Sequence, residues 1–221
     1  MSSHRLSRLQ VQILKLAADI EPRWRLTGGG ALCGFHLGHR LTADLDLFWA
    51  GQDALGPWAD EVSRRLERAG LKLVRLQDFP GFRRLQVSTD HEDTVVDLVA
   101  DPVPTIESPE PLALEGTEIL VDTRHEILVN KLNTLLSRSE PRDLFDVRAL
   151  LALDADLAAA CTHASLKDGG FSPLTLAWVL ETLHMPAAGP ALGLDDEAVA
   201  ELARFRDDLR DALVQLGQPA R

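Results

Sequence analysis

The chain has two cysteines, Cys33 and Cys161, far apart and in no C-x-x-C pair. Neither a disulfide framework nor a cysteine-paired zinc site is indicated, and two buried free thiols are expected. Long apolar runs are missing too: nothing approaches the roughly 18 consecutive residues that mark a membrane span. The first twenty residues, MSSHRLSRLQVQILKLAADI, interleave polar positions with apolar ones, unlike the core of a signal peptide. A cytoplasmic protein with no membrane partner is the expectation. Internal repeats and low-complexity tracts are absent. Basic charge is scarce, with 23 Lys and Arg against 34 Asp and Glu and a net charge of -11, which argues against a general nucleic-acid coat, because such binding rests on phosphate neutralisation.

What the chain does have is a globular composition: 45% hydrophobic and 26% charged residues over 221 positions, enough to bury a full core. Its few cations are unevenly placed. Residues 1 to 40 hold six basic residues (Arg5, Arg8, Lys15, Arg23, Arg25, Arg40) against two acidic ones (Asp19, Glu21), a local excess that suits a phosphate-bearing substrate.

Apolar spacing organises the rest. Leu6, Leu9, Ile13, Leu16 and Ile20 recur three or four apart, the stripe of an amphipathic helix over residues 5 to 20. Arg23 to Thr27 reads as a short strand, Ala31 to Leu37 as a compact helix that Gly38 ends, and Ala43 to Trp49 as a second strand. A helix over Pro57 to Ala69 follows, then strands at Leu71 to Leu76, Phe82 to Ser88 and Thr94 to Ala100. Beyond the proline-rich connection DPVPTIESPEP the pattern turns helical, at about 124 to 138, 141 to 153, 156 to 164, 172 to 184 and 195 to 216. The fold class is α+β: a mixed sheet with flanking helices over residues 1 to 121, followed by a helical region over 122 to 221.

The segment TGGGALCGFHLGHRLTADLDLF, residues 27 to 48, concentrates the chemistry. Alternate residues of a strand share a face, so Asp44 and Asp46 point one way while Leu45 and Leu47 point into the core. Two adjacent carboxylates resist ionisation unless a cation sits between them, and an oxygen donor set with phosphates as co-ligands suits Mg2+. Gly28, Gly29 and Gly30 supply the complement. Without Cβ atoms their backbone can approach a ligand, and the N–H groups that open the next helix favour an anion.

These residues resemble the nucleotidyltransferase signature of the DNA polymerase beta superfamily, a glycine-rich turn followed by D-x-D. The LGHR run before DLDLF is similar to the AbiEii/AbiGii toxin family of nucleotidyltransferases, which includes the MenT toxins. A second block, EILVNKLNTLLSRSEPRDLFDVRALL (126 to 151), resembles that family's downstream Lys and R-D-x-x-D motifs. The resemblance implies a nucleotidyltransferase core completed by the helical region, Mg2+ as cofactor, an NTP as donor, the 3′ end of tRNA as a candidate acceptor, and a cognate antitoxin as partner. It implies that Lys131 reaches the triphosphate and that Asp143 or Asp146 supports the site, with Asp146 the better match. Arg40 of the HR pair would contact phosphate, while His39 is either its companion or a hydrogen bonder at the helix end. One departure stands out: relatives commonly carry Ser or Thr where this chain has Gly30, so backbone N–H groups or Thr27 would have to serve.

The second block also has its own reading. Thr123 and Glu126 form a T-x-x-E capping box, and the helix they open carries Lys131 and Arg138 on one side. Lys131 has no acidic residue at i±4, so its charge is expected to serve something outside the helix. The alternative is a solvated Lys131 and an exposed Arg142–Asp146 pair. Asp97, in the apolar strand TVVDLVA, is either a third metal-binding or catalytic carboxylate or a buried partner of Arg84. The function expected is Mg2+-dependent transfer of a nucleotide from an NTP, as the toxin of a toxin–antitoxin system. The alternatives are transfer to a small molecule or protein, as in the aminoglycoside-modifying enzymes, or a non-catalytic nucleotide-binding module.

Overall fold

The computed structural model describes residues 5–185 and 188–218. The chain divides into two compact units, Met1–Thr123 and Arg124–Arg221.

The first unit is built on a mixed sheet. In chain order its elements are α1 (Arg8–Ala17), β1 (Arg25–Thr27), α2 (Gly28–Ala31) continued by a π-helical turn (Leu32–His36), β2 (Asp44–Ala50), α3 (Trp58–Arg68), β3 (Lys72–Phe79), β4 (Phe82–Ser88), β5 (Asp93–Asp101), β6 (Glu110–Leu114) and β7 (Thr117–Val121). The strands join in the order β3-β4-β5-β2-β1-β7-β6. β2 runs parallel to β5 and β1 parallel to β7, and the other neighbours are antiparallel. The α+β mixed sheet expected from the sequence is therefore the architecture found.

Local chemistry accounts for most element ends. Ser7 accepts from the Gln10 N–H while the Gln10 side chain accepts from the Ser7 N–H, a capping box that starts α1. Gly38, at φ +60°, follows the π-helical turn, the left-handed residue expected to end that helix. The hairpin β6–β7 was not legible in the proline-rich stretch. Its turn, Glu115-Gly116, holds both residues at positive φ, as two-residue hairpins require. β6 lies at the sheet edge, where Pro111 removes no needed ladder bond.

The sheet alternates cleanly. Leu45, Leu47, Trp49, Val96 and Leu98 are buried, while Asp44, Asp46 and Phe48 on the other face of β2 are half-buried. α1 packs on α3 and reaches β5. The Gln10 amide, buried on α1, donates to the Thr42 carbonyl at 3.1 Å and to Thr94 Oγ1 at 3.2 Å, which fixes the entry to β2 against the start of β5.

The second unit consists of α4 (Arg124–Arg138), α5 (Pro141–Leu151), α6 (Leu157–Lys167), α7 (Pro173–Thr182), α8 (Ala188–Leu192) and α9 (Asp196–Leu216). α4 packs on α5, α6 and α7, and α9 on α5, α7 and α8. Leu128, Leu132, Leu135, Leu144, Val147, Leu180, Leu202 and Leu213 are buried. Asp156, Ser172 and Asp195 cap α6, α7 and α9 through their side chains. Both cysteines are buried and in no disulfide, as expected, and burial pushes the Cys161 thiol up to about 11. No helix among the described residues is long and apolar enough to cross a membrane.

One buried cation ties the strands together. The Arg25 side chain, 2% exposed, reaches Asp101 at the end of β5 at 2.6 Å and the fully buried Asp122 after β7 at 2.9 Å, with its guanidinium 5.5 Å from the Phe48 ring centroid. Removing one member of such a network leaves uncompensated buried charge, worth about 3–5 kcal/mol. Arg25→Ala is therefore expected to lower the unfolding free energy by about that amount in urea titrations, and a loss within about 0.5 kcal/mol would contradict the assignment.

Candidate active site

The glycine turn and the D-x-D strand, separated by 13 residues in sequence, meet in space. β1 lies antiparallel to β2 with Thr27 directly opposite Asp46, so their side chains share the half-buried face of the sheet. Gly28 follows at φ +59°, and a Cβ placed on it would stand 2.3 Å from Asp46 Oδ2. A side chain there would displace the carboxylate. A Cβ on Gly29 would meet Thr42 Oγ1 at 2.9 Å, Arg40 Nη2 at 3.1 Å and Asp44 Oδ1 at 3.7 Å. The backbone of half-buried Gly28 and buried Gly29 thus lies against both carboxylates and the Arg40 guanidinium, at the start of a helix whose first N–H groups suit an anion.

Gly30 behaves differently. A Cβ there would press on Leu26 and Leu45, each at 3.2 Å, so this glycine serves close packing of the helix start on the core. A Ser or Thr at position 30 would set its Cβ against these two leucines and 3.7 Å from the Asp44 carbonyl oxygen. Thr27 Oγ1 is buried and makes no hydrogen bond among the described residues, an orphaned hydroxyl beside the Asp46 carboxylate face.

Thr42 is the residue that sequence reasoning passed over. Its hydroxyl, on a buried side chain just before β2, donates to Asp44 Oδ1 at 2.9 Å and lies 3.2 Å from the Asp44 carbonyl. The signal was the spacing T-A-D, which lets a strand-entry threonine orient a carboxylate two residues on. His39 and Arg40 are half-buried beyond the π-helical turn. The neighbouring His36 is hydrogen-bonded through Nε2 to the Asp122 carbonyl at 2.7 Å.

Asp97 faces Asp46 across the parallel β2–β5 register and Arg84 across the antiparallel β4–β5 register. Its two oxygens accept from Arg84 Nε at 2.8 Å and Nη2 at 2.6 Å, a two-pronged ion pair. Arg84 is held protonated above its ordinary range, first by the Asp97 hydrogen bond, against burial, and further by the charges of Asp97, Asp44 and Asp46. Among the described residues no group of three or more Asp, Glu, His or Cys is arranged to hold a metal ion. Two carboxylates suffice for Mg2+ when phosphates complete the shell, and the space that a Cβ at position 28 would fill fits that use of Asp44 and Asp46.

The helical unit gathers the second sequence block into a charge cluster. Lys131 is 6% exposed, and its ammonium donates to Asp143 Oδ1 at 2.7 Å and pairs with Asp146 Oδ2 at 2.8 Å. Arg138, on the same side of α4, donates to both oxygens of Asp143 at 2.7 and 2.9 Å. Asp143 and Asp146 are fully buried. The lysine's charge is taken up by the carboxylates of α5, partners within the fold that the sequence reading, which looked to a triphosphate, did not name. Lys131 is thus no solvated side chain, and Asp146 is no exposed one. The buried Glu126 pairs with Lys167 of α6, and Thr123 donates to Glu107.

Residues 13–217 match the nucleotidyl transferase AbiEii toxin family, a type IV toxin–antitoxin system. The chain belongs to this AbiEii nucleotidyltransferase family. Two solved structures are similar over most of their length. JHP933 from Helicobacter pylori is 20% identical, covering 97% of this chain and 95% of its own, with a TM-score of 0.55. MenT4, a nucleotidyltransferase toxin from Mycobacterium tuberculosis, is 18% identical, covering 95% and 85%, with a TM-score of 0.59. At such identities the likeness is one of fold. No curated protein matches the sequence. As a member of the AbiEii family the chain is an enzyme of the nucleotidyltransferase class.

The Lys131 cluster sets a pH dependence. Burial pushes the Asp143 carboxyl up, but the Arg138 hydrogen bond and the Lys131 charge outweigh it and hold the group below its ordinary value of 3.8. Lys131 is raised, its desolvation outweighed by Asp146 and Asp143. A depressed carboxylate contributes stability above its unfolded pKa and loses it as pH falls through the folded one. Asp143→Asn is accordingly expected to cost about 3–5 kcal/mol at neutral pH, with the gap to wild type narrowing on acidification below about pH 4. A gap that stays constant across a pH series of urea denaturations would contradict this.

Proposed function

We propose that the protein is a Mg2+-dependent nucleotidyltransferase toxin that transfers a nucleotide from an NTP to an acceptor hydroxyl, with the 3′ end of tRNA as the acceptor. The observation that carries the reading is the close approach of half-buried Gly28 to the Asp46 carboxylate, which sets backbone without a Cβ beside two carboxylates of one strand face. In this proposal Asp44 and Asp46 hold Mg2+, with Thr42 orienting Asp44. When bound, the ion neutralises triphosphate charge and polarises the phosphate under attack.

The chain's own groups do the rest. Backbone N–H groups of Gly28 and Gly29 and the Arg40 guanidinium bind phosphate oxygens, and the Thr27 hydroxyl is available as a further donor where relatives use a Ser or Thr. Lys131 and Asp146, which the resemblance assigned to the nucleotide, are held in a buried ion pair within the helical unit, and this proposal gives them no phosphate contact. Asp97, with both oxygens on Arg84, is assigned no proton transfer. Phosphoryl chemistry needs little covalent participation from the protein, so positioning and charge neutralisation account for most of the rate.

Of the basic residues before position 40, Arg25 is buried on Asp101 and Asp122, and Lys15 and Arg23 pair with Glu115 and Glu118, so support for an RNA acceptor docked by its phosphates rests on Arg5 and Arg8. The net charge of -11 favours instead a compact acceptor such as a small molecule or protein, and the assay separates them. The family's character as a toxin–antitoxin system supports a cognate antitoxin as partner, and action on tRNA would place the protein in the cytoplasm.

The test is incubation with each radiolabelled NTP, Mg2+ and total tRNA, followed by gel separation, beside reactions that lack Mg2+ or use Asp46→Asn. Labelled tRNA with the wild type is expected, falling by at least 10²-fold in both controls. Label on protein or small molecules alone would move the acceptor to the second class. Wild-type turnover by a folded Asp46→Asn would sink the metal-site reading.

A further inference from the structure

Three carboxylates, Asp44, Asp46 and Asp97, lie on one face of β2 and β5, with Asp46 and Asp97 side by side in register. Such a row invites two divalent ions, yet Asp97 carries an arginine on both of its oxygens. Arg84 closes on Asp97 through two parallel hydrogen bonds of 2.8 and 2.6 Å. That geometry takes one lone pair of each carboxylate oxygen, so a metal ion that takes Asp97 as a ligand must either displace the guanidinium or bind the remaining lone pairs against its positive charge.

Three features hold Arg84 where it is. It stands directly across the β4–β5 ladder from Asp97, so the pair is set by strand register rather than by a mobile loop. Its guanidinium lies 5.6 Å from the Phe82 ring centroid, a cation–π contact that restrains it further. The Asp97 side chain is 8% exposed and that of Arg84 42%, so solvent and ions meet the guanidinium before the carboxylate. A buried carboxylate without its partner would carry a large desolvation cost, which opposes exchange of the arginine for a hydrated ion.

We propose that Arg84 is a built-in countercharge that takes the place of a second metal ion, so that the site holds a single divalent cation, at Asp44 and Asp46. This rests on the metal reading of those two aspartates given above. Arg84 is in these terms a positioning residue: it neutralises Asp97, keeps that carboxylate from drawing a cation away from Asp46, and adds fixed positive charge to the same face. A lysine could keep the charge but not the planar fork.

The experiment counts ions on the full chain. Mn2+ is titrated into wild type, Arg84→Gln, Arg84→Lys and Arg84→Gln/Asp97→Asn with a non-hydrolysable NTP present, and free Mn2+ is read by electron paramagnetic resonance. Ions bound to nucleotide alone are subtracted, and thermal melts check folding. One protein-bound ion is expected for wild type and Arg84→Lys, two for Arg84→Gln, and one again for the double variant, whose Asp97 charge is gone. Two ions on the wild type overturn the proposal, and so does an unchanged count in a folded Arg84→Gln. Should Arg84→Gln fail to fold, the wild-type and Arg84→Lys counts still decide. No ion on the wild type would overturn the metal reading itself, a failure distinct from two.

Discussion

The carboxylate of Asp46 occupies space that a Cβ at residue 28 would need, and much of the first unit is arranged around that contact. It requires β1 and β2 to be antiparallel neighbours with Thr27 opposite Asp46, and a glycine in the left-handed region at the strand-to-helix turn. It also requires β2 to be held from behind. Leu45, Leu47 and Trp49 do so by burial on the opposite face, and the Trp49 indole N–H donates to the Pro22 carbonyl at 2.8 Å. Arg25, two residues before Thr27, locks the same short strand to the ends of β5 and β7. A three-residue strand is weak on its own, and buried ion pairs and core packing fix its register.

The two units handle charge by the same means. In the sheet, Arg84 forks onto Asp97, and in the helices, Lys131 and Arg138 converge on Asp143 while Lys131 also meets Asp146. Each buried carboxylate in these sets has its own cation, as burial demands. Asp44 and Asp46 are half-buried beside Gly28 and Gly29, on the strand face where the proposed ion and phosphates would be received.

Much of this was legible in the sequence for physical reasons. Period-two alternation placed Asp44 and Asp46 on one face, and the glycines announced a close backbone approach. Apolar periodicity from residue 124 and Pro141 at the start of the next helix put Lys131 and Arg138 on one helix and Asp143 and Asp146 on the following one. What local spacing could not show was partnership across the fold. Nothing near Lys131 in sequence reveals that α5 turns two aspartates onto it, and nothing in TVVDLVA decides that Arg84 takes both oxygens of Asp97. Gly30 looks equivalent to its neighbours in sequence, yet it faces Leu26 and Leu45 rather than the carboxylates. The β6–β7 hairpin was hidden by Pro111 and by a Glu-Gly turn in place of the commoner Asn-Gly.

The central claim is that bare backbone at Gly28 and the carboxylates of Asp44 and Asp46 together receive a metal–nucleotide complex. The most direct measurement is anomalous diffraction at the manganese edge from crystals of the full chain grown with Mn2+ and a non-hydrolysable NTP. The account predicts a manganese peak within about 2.0–2.4 Å of oxygens from both Asp44 and Asp46, with triphosphate density over the N–H groups of Gly28 and Gly29. Well-ordered nucleotide bound elsewhere, or at the turn with no contact from either aspartate to the metal, would contradict it.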